Sequence, residues 1–196
     1  MPIAELGANV PSRGTRRIRV LCRRMLRVAG WDIEGQFPDL PKFVVIAAPH
    51  TSNWDFLVAM LVIGAVGIRA HWYIKRAAYR GPAAPIMRWL GGIPIDRSAH
   101  HGVVDQAIHL FKARDKLVLG ITPEGTRKRV GKWKTGFWHI ATGAGVPIVP
   151  VYFDYPRRRV GLGAPFWPST DVASDIQKLR ALYTPYARAG RRPDLF

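Results

Sequence analysis

Short apolar segments with strand character alternate with segments of helical periodicity between residues 43 and 153. The strand-like segments are residues 43–48, 71–75, 93–95, 116–121 and 146–153, and the helix-like segments are 56–68, 83–90, 103–113 and 136–142. Neighbouring parallel strands need a long crossover, usually a helix, so this alternation favours a mostly parallel sheet covered by helices on both faces. The sequence therefore predicts an α/β domain whose functional loops lie at strand ends.

One domain accounts for the whole chain. Its 196 residues, 48% of them hydrophobic, are enough to build a single substantial core. Residues 1–15 are polar, contain Gly and Pro, and are predicted to be a flexible lead-in. Residues 16–196 then form the domain, and its last helix, within 171–189, should be interrupted at Pro185.

Residues 16–29 are predicted to form a basic amphipathic helix. Its apolar positions are Ile18, Leu21, Cys22, Met25, Leu26 and Ala29. Such a helix can lie in an anionic lipid interface with its arginines at the level of the phosphates. The arginines expected to contact a membrane are Arg16, Arg17, Arg23, Arg24 and Arg27. The alternative is a surface helix that docks on the protein's own core.

The charge balance predicts an anionic partner. Lys and Arg number 30 against 13 Asp and Glu, a formal net charge of +17, which suits a membrane, a nucleic acid or a phosphorylated metabolite. Cys22 is the single cysteine, which excludes an intramolecular disulfide and a cysteine-based zinc site. No secretory signal pattern and no apolar run of about 20 residues is present, so we expect a cytoplasmic protein attached peripherally to the membrane.

The segment from His50 to Asp55 pairs an imidazole with a carboxylate five residues later. An imidazole accepts a proton near neutral pH, and a carboxylate can hold the proton of one ring nitrogen while the other nitrogen deprotonates a substrate. This pattern indicates activation of a hydroxyl group. A structural alternative is that Ser52 or Asn53 caps the following helix and Asp55 is favoured in its first turn.

Two later segments place cations beside flexible backbone. Arg97 follows a glycine pair and a short strand, and it either reaches a substrate phosphate or pairs with Asp96 at the surface. In the segment 123–127, Gly125 permits an unusual turn and Arg127 can bind phosphate through two donors. Glu124 orients either Arg127 or a neighbouring loop. Five cations and no acid lie between residues 127 and 134, namely Arg127, Lys128, Arg129, Lys132 and Lys134.

Taken in order, these segments resemble the motifs of the glycerolipid acyltransferases typified by 1-acylglycerol-3-phosphate acyltransferases. Residues 50–55 match the HX4D motif, 92–97 the second block, 123–127 the EGTR block and 146–150 the fourth block. The resemblance extends from about residue 43 to residue 152, more than half of the chain.

The resemblance implies a mechanism and a set of substrates. His50 deprotonates an acceptor hydroxyl, which attacks an acyl thioester, while Asp55 orients the imidazole. The residues implied to bind the acceptor phosphate are Arg97, Glu124, Gly125, Thr126, Arg127 and Lys134. The implied reaction moves a fatty acyl group from acyl-CoA or acyl carrier protein to a lysophospholipid, first of all 1-acyl-sn-glycerol-3-phosphate, in phospholipid biosynthesis. No cofactor or metal is expected beyond the acyl thioester co-substrate.

Two alternatives remain open from the sequence. The chain departs from the common family pattern at Pro49, Pro94 and Lys128. The first alternative is therefore an acyltransferase whose acceptor is glycerol 3-phosphate or a lyso-aminolipid. The second alternative is a protein without enzymatic activity that binds anionic membranes or nucleic acid. Its only support is the positive net charge. For the acyltransferase, no nucleic-acid partner is expected.

Overall fold

The computed structural model describes residues 6–75, 79, 81–82, 84–95, 102–126 and 132–192. The strands are β1 Asp32–Glu34, β2 Lys42–Ala48, β3 Ala70–Lys75, β4 Gly92–Ile95, β5 Leu117–Ile121, β6 Ile148–Asp154 and β7 Arg159–Leu162. The helices are α1 Arg16–Val28, α2 Asn53–Val66, α3 Ala84–Trp89, α4 Val103–Lys112, α5 Gly136–Ala144 and α6 Val172–Tyr183, and α6 leads into a 3₁₀ turn at Thr184–Tyr186.

The described strands form one seven-stranded sheet in the order β1-β7-β6-β2-β5-β3-β4. Every neighbouring pair is parallel except β6 and β7, which are antiparallel. The predicted α/β class with a mostly parallel sheet is confirmed. Strands β1 and β7 were not predicted, because each has at most four residues and lies towards one edge, where no continuous apolar run is needed.

Helices cover the sheet on both faces, and β2 shows how the two cores divide. Val44 and Ile46 belong to the core beneath α4, α5 and α6, whereas Phe43 belongs to the core beneath α1 and α2. Because successive side chains of a strand point to opposite faces, a central strand covered on both sides must be apolar throughout. The loop that follows Ala48 therefore leaves the sheet from a central strand with a core on each face.

Helix α1 confirms the predicted amphipathic helix. Its N-cap is Thr15, whose side chain accepts a hydrogen bond from the backbone N–H of Ile18. Leu26 is buried against α2, whereas Leu21 is 57% and Val28 is 89% exposed. The helix therefore docks on the protein's own core along one side and leaves part of its apolar surface uncovered.

Arg23, one of the arginines predicted to contact a membrane, makes a hydrogen bond within the protein. Its Nε donates to the carbonyl oxygen of Ala65 at 2.9 Å, so its head group is directed at the C-terminal end of α2. The last carbonyls of a helix lack partners within the helix and carry partial negative charge, which explains why an arginine binds there. Arg16, Arg17, Arg24 and Arg27 are exposed.

Residues 6–15 pack on the domain, which differs from the flexible lead-in predicted for 1–15. Val10 is only 3% exposed. The N–H of Arg13 donates to the carbonyl of Gly67 at 2.8 Å, and the N–H of Arg69 donates to the carbonyl of Pro11 at 2.7 Å. This pairing with the turn after α2 was not apparent from composition, because the partner is more than 50 residues away along the chain.

The C-terminal helix α6 begins at the N-cap Asp171 and ends at Tyr183. Pro185 lies in the 3₁₀ turn that follows, so the predicted interruption is confirmed. None of the helices within the described ranges is long and apolar enough to cross a membrane.

Candidate active site

The loop between β2 and α2 brings His50 and Asp55 together. Asp55 is the third residue of α2, and its Oδ2 lies 3.1 Å from Nδ1 of His50. Because Nδ1 faces a carboxylate, we assign the ring proton to Nδ1, which leaves Nε2 as an acceptor. An imidazole held in this way can remove a proton from a hydroxyl group.

Asp55 is 2% exposed and accepts several hydrogen bonds. Its Oδ2 also accepts from the backbone N–H groups of Thr51 and Ser52, both at 2.8 Å, and its Oδ1 accepts from Oη of Tyr155 at 2.6 Å. Burial raises the pKa of Asp55, but the bonds from His50, Tyr155 and Ser52 outweigh burial and hold the pKa below its usual value. The carboxylate is therefore ionised at neutral pH.

Asp55 also stabilises the start of α2, the structural alternative predicted from the sequence. Ser52 is the N-cap of α2, and its side chain accepts from the N–H of Trp54 at 3.2 Å. The bond from the Ser52 N–H to Asp55 completes a capping box. One carboxylate thus starts the helix and orients the histidine.

Glu124 is buried and contacts the backbone of His50. It is 4% exposed, and its Oε1 accepts from the backbone N–H of His50 at 3.1 Å. Burial raises the pKa of Glu124, although backbone N–H groups, including that of His50, partly oppose the change. The described contact of the Glu124 carboxyl is therefore with the backbone of His50, and its part in phosphate binding stays a prediction. Of the two roles considered, orientation of a neighbouring loop agrees with the contact.

The remainder of the EGTR block lies beside this pair. Gly125 has a φ of 64°, and a Cβ at this position would approach the Lys134 side chain to 3.0 Å. The N–H of Lys134 donates to the carbonyl of Pro123 at 2.9 Å, and both Thr126 and Lys134 are exposed. Lys134 therefore lies next to the glycine. Arg97 and Arg127 lie outside the described residues.

A largely apolar cavity of about 820 Å³ opens beside the histidine. Lys134 and His50 are among the polar groups of its lining, and apolar side chains continue along α2 and the sheet. Its apolar lining includes Phe56, Ile63, Val118, Ile121, Phe137 and Val151. An apolar cavity with a few polar groups suits a ligand with a long hydrocarbon chain and a polar end.

Tyr155 was missed by the sequence analysis, although it contacts Asp55 directly. It follows β6 and is 100 residues from its partner, and no spacing rule relates the two positions. Within the described part of the chain, no group of three His, Cys, Asp or Glu residues is placed to hold a metal ion.

The family model for acyltransferases matches residues 34–154, which is more than half of the chain. This range contains His50, Asp55, Glu124 and Lys134.

Curated relatives have related names. The 1-acyl-sn-glycerol-3-phosphate acyltransferase of Escherichia coli K12 is 30% identical over 125 residues, 60% of this chain and 49% of its own. The 1-acyl-sn-glycerol-3-phosphate acyltransferase alpha of Homo sapiens is 30% identical over 157 residues, 76% of this chain and 54% of its own. The chain therefore spans about half the length of these relatives.

A solved structure has the same fold. It is the 1-acyl-sn-glycerophosphate acyltransferase PlsC of Thermotoga maritima, with a TM-score of 0.59 and 19% sequence identity. The similarity covers 90% of this chain and 81% of that one.

Proposed function

The chain belongs to the acyltransferase family, and we propose that it transfers a fatty acyl group from an acyl thioester to the free hydroxyl of a lysophospholipid. The names of the curated relatives support 1-acyl-sn-glycerol-3-phosphate as the acceptor. The donor is acyl-CoA or acyl carrier protein, and the product enters phospholipid biosynthesis.

One observation carries this proposal. The imidazole of His50 lines a largely apolar cavity while its Nδ1 lies 3.1 Å from the buried carboxylate of Asp55. A general base at the wall of an apolar cavity is what transfer of a fatty acyl chain to an alcohol requires, because the chain needs an apolar site and the alcohol needs deprotonation.

The proposed reaction needs no covalent intermediate on the protein. Nε2 of His50 takes the proton of the acceptor hydroxyl as the hydroxyl oxygen bonds to the thioester carbonyl carbon. Asp55 stabilises the imidazolium that forms. Collapse of the tetrahedral intermediate breaks the carbon–sulfur bond, and the imidazolium returns its proton to the departing sulfur. Holding both reactants in one cavity also removes much of the entropic barrier to their reaction.

Recognition of the acceptor is assigned to the cationic side of the site. Lys134 lies next to Gly125 and lines the same cavity as His50, which supports contact with the acceptor phosphate. By family resemblance, Arg97, Thr126 and Arg127 contribute to this phosphate site. Glu124 also accepts a hydrogen bond from the backbone N–H of His50, which holds the His50 loop.

We further propose peripheral attachment to the anionic cytoplasmic face of a membrane through α1. An exposed apolar stripe runs along this helix at helical spacing, formed by Ile18, Leu21, Met25 and Val28. The exposed arginines beside the stripe are Arg16, Arg17, Arg24 and Arg27. This arrangement suits a helix lying in the interface, with its apolar stripe among the acyl chains and its arginines near the lipid phosphates.

The test offers purified protein a labelled acyl thioester, as acyl-CoA and as acyl carrier protein, together with a panel of acceptors. The panel contains 1-acyl-sn-glycerol-3-phosphate, glycerol 3-phosphate, a lyso-aminolipid and an uncharged monoacylglycerol. Mass spectrometry of the product identifies donor and acceptor together. We expect the phosphorylated lyso-lipid to react fastest, and equal rates with the uncharged lipid would contradict phosphate recognition.

The matched variants are His50→Ala and His109→Ala. Loss of a general base costs about 10²- to 10⁴-fold in rate, so His50→Ala should lose transfer by that factor while it still folds. His109 is exposed on α4 and is not part of the cavity lining, so its replacement should leave the rate unchanged. Near-normal turnover in His50→Ala would reject the mechanism. If the wild-type protein released no thiol but bound vesicles in a salt-dependent way, the non-enzymatic reading would replace the enzymatic one.

A further inference from the structure

Tyr155 reaches the active site from outside the segment that matches the family. It follows β6 directly, one residue beyond the matched range 34–154. Its hydroxyl donates to Oδ1 of Asp55 at 2.6 Å, one of the shortest side-chain hydrogen bonds in the described part of the protein. A short bond from a hydroxyl to a carboxylate belongs to the strong, charge-assisted class.

The two oxygens of Asp55 have partners from different parts of the chain. Oδ2 accepts from His50, Thr51 and Ser52, all within the catalytic loop itself. Oδ1 accepts from Tyr155, which lies 100 residues further along the chain. A carboxylate is planar, so a donor on each oxygen fixes its rotation, and the direction in which Oδ2 faces the imidazole is fixed with it.

Tyr155 is itself held in place from two sides. Its N–H donates to the carbonyl of Ala189 at 2.8 Å, and its ring packs edge-on against Trp31 with centroids 5.0 Å apart. These contacts come from the C-terminal segment and from the residues after α1. The hydroxyl is therefore positioned by the tertiary structure before any substrate binds.

The C-terminal segment, residues 187–192, also contacts the catalytic loop. The N–H of Arg192 donates to Oγ1 of Thr51 at 3.2 Å, and the guanidinium of Arg191 lies 4.6 Å from the ring centre of Trp54. A side chain on Gly190 would collide with Thr51. The segment that supports Tyr155 thus also packs on the loop that Tyr155 stabilises.

We propose that Tyr155 is a positioning residue, which fixes the Asp55 carboxylate and through it the orientation and tautomer of His50. The role rests on the proposed acyl transfer, in which His50 is the base. The phenol acts as a donor and not as a second base. Burial, the bond to Asp55 and the charge of Asp55 all raise the pKa of Tyr155, so the hydroxyl keeps its proton.

The chain offers a close control for a test of this role. Tyr152 also donates its hydroxyl to a carboxylate, Oε2 of Glu34 at 3.1 Å, and its ring stacks on Tyr186. Tyr155→Phe and Tyr152→Phe each delete one hydroxyl and keep the ring. Only the first of these hydroxyls contacts the His50–Asp55 pair.

We expect Tyr155→Phe to lower kcat about tenfold or more with little change in KM, since a hydrogen bond to a charged group is lost at the reacting centre. Tyr152→Phe should stay within about twofold of the wild-type rate, as is usual for a change outside the site. Equal kcat values for the two variants would overturn the proposal. Thermal unfolding of both variants checks that any difference is not a loss of fold.

The pH–rate profile separates positioning from a structural role. The ionisable groups around Asp55 are His50 in its own loop, Glu124 from the loop after β5, Tyr155 after β6 and Arg191, which faces Tyr155. Tyr155→Phe removes a hydrogen-bond donor that stabilises the form of the His50–Asp55 pair with a neutral imidazole and an ionised carboxylate. The ascending limb of the profile should therefore move to higher pH in Tyr155→Phe and stay in place in Tyr152→Phe. An unmoved limb in both variants would contradict positioning.

Two further measurements test the positioning role of Tyr155 without relying on a deleted hydroxyl or on acyl transfer. Site-specific 3-fluorotyrosine at position 155 preserves the shape and makes the phenol a stronger donor, so the limb should move to lower pH. If the wild-type protein transfers no acyl group, the proposed function fails. The positioning role is then read from ¹⁵N signals of the His50 imidazole, which should change in Tyr155→Phe but not in Tyr152→Phe. Unchanged imidazole signals would overturn it.

Discussion

Helices α1 and α2 pack against each other and are opposite in character. Helix α1, Arg16–Val28, contains six arginines and no acid, and much of its surface is exposed. Helix α2, Asn53–Val66, has Asp55 as its single charged residue and is apolar on every side. Helix α2 packs against α1, the sheet and the cavity, whereas Trp54 and Leu57 near its start are 51% and 50% exposed.

The two helices place the positive charge and the catalytic carboxylate in different parts of the molecule. The positive charge of the N-terminal region is placed on an outer helix, where it remains solvated and available to lipid phosphates. The ionised carboxylate that orients His50 begins the inner helix, where burial strengthens its interactions. Changes in α2 should therefore affect turnover, and changes in α1 should affect attachment to a surface.

The largest expected effect is that of Asp55→Asn at the start of α2. The amide can still accept from the N–H groups of Thr51 and Ser52, so the capping box and the fold should persist. The negative charge that stabilises the imidazolium of His50 is lost, and turnover should fall by about 10²- to 10⁴-fold. Steady-state rates, circular dichroism and vesicle binding measured on the same preparation check this. Lost vesicle binding in a folded variant would contradict the separation between the two helices.

The contact between the two helices gives the next effect. A Cβ added at Gly64 would lie 2.5 Å from Sγ of Cys22, closer than packed atoms tolerate. We expect Gly64→Ala to lower the free energy of unfolding by about 1–2 kcal/mol, because overpacking outweighs the gain in helix propensity.

Adding Cys22→Ala should recover most of that loss, and urea unfolding of the single and double variants measures the coupling. The single Cys22→Ala variant supplies the reference. Additive effects would show that α1 and α2 do not meet at this pair.

The smallest expected effect concerns the outer surface of α1. Replacing the exposed Leu21 and Met25 together with serine should weaken binding to anionic vesicles about tenfold, since both side chains lose transfer free energy into the acyl region. Val20→Ser is the control, because Val20 is exposed on the arginine side of the same helix. Vesicle sedimentation at fixed salt measures binding. An equal loss of binding in Val20→Ser would show that the arginine side of α1 also contacts the lipid. Unchanged binding in both variants would show that α1 does not contact the membrane.

The fold was largely predictable where burial imposes a pattern. Strands covered on both faces must be continuous apolar runs, and β2, β5 and β6 were recognised for that reason. The short strands β1 and β7 lack such runs and were missed. The packing of residues 6–15 and the contact of Arg23 with Ala65 were missed because composition carries no information about a distant backbone partner.

The contact between His50 and Asp55 follows from local sequence, because two residues five positions apart at the start of a helix can reach each other through local backbone geometry. The α/β class likewise follows from the order of the apolar segments. The contact of Glu124 with the backbone of His50 and that of Tyr155 with Asp55 depend on tertiary packing, since these partners are 74 and 100 residues apart. Contacts at such separations depend on which strands become neighbours in the sheet, and strand order follows from packing of the whole chain rather than from any local pattern.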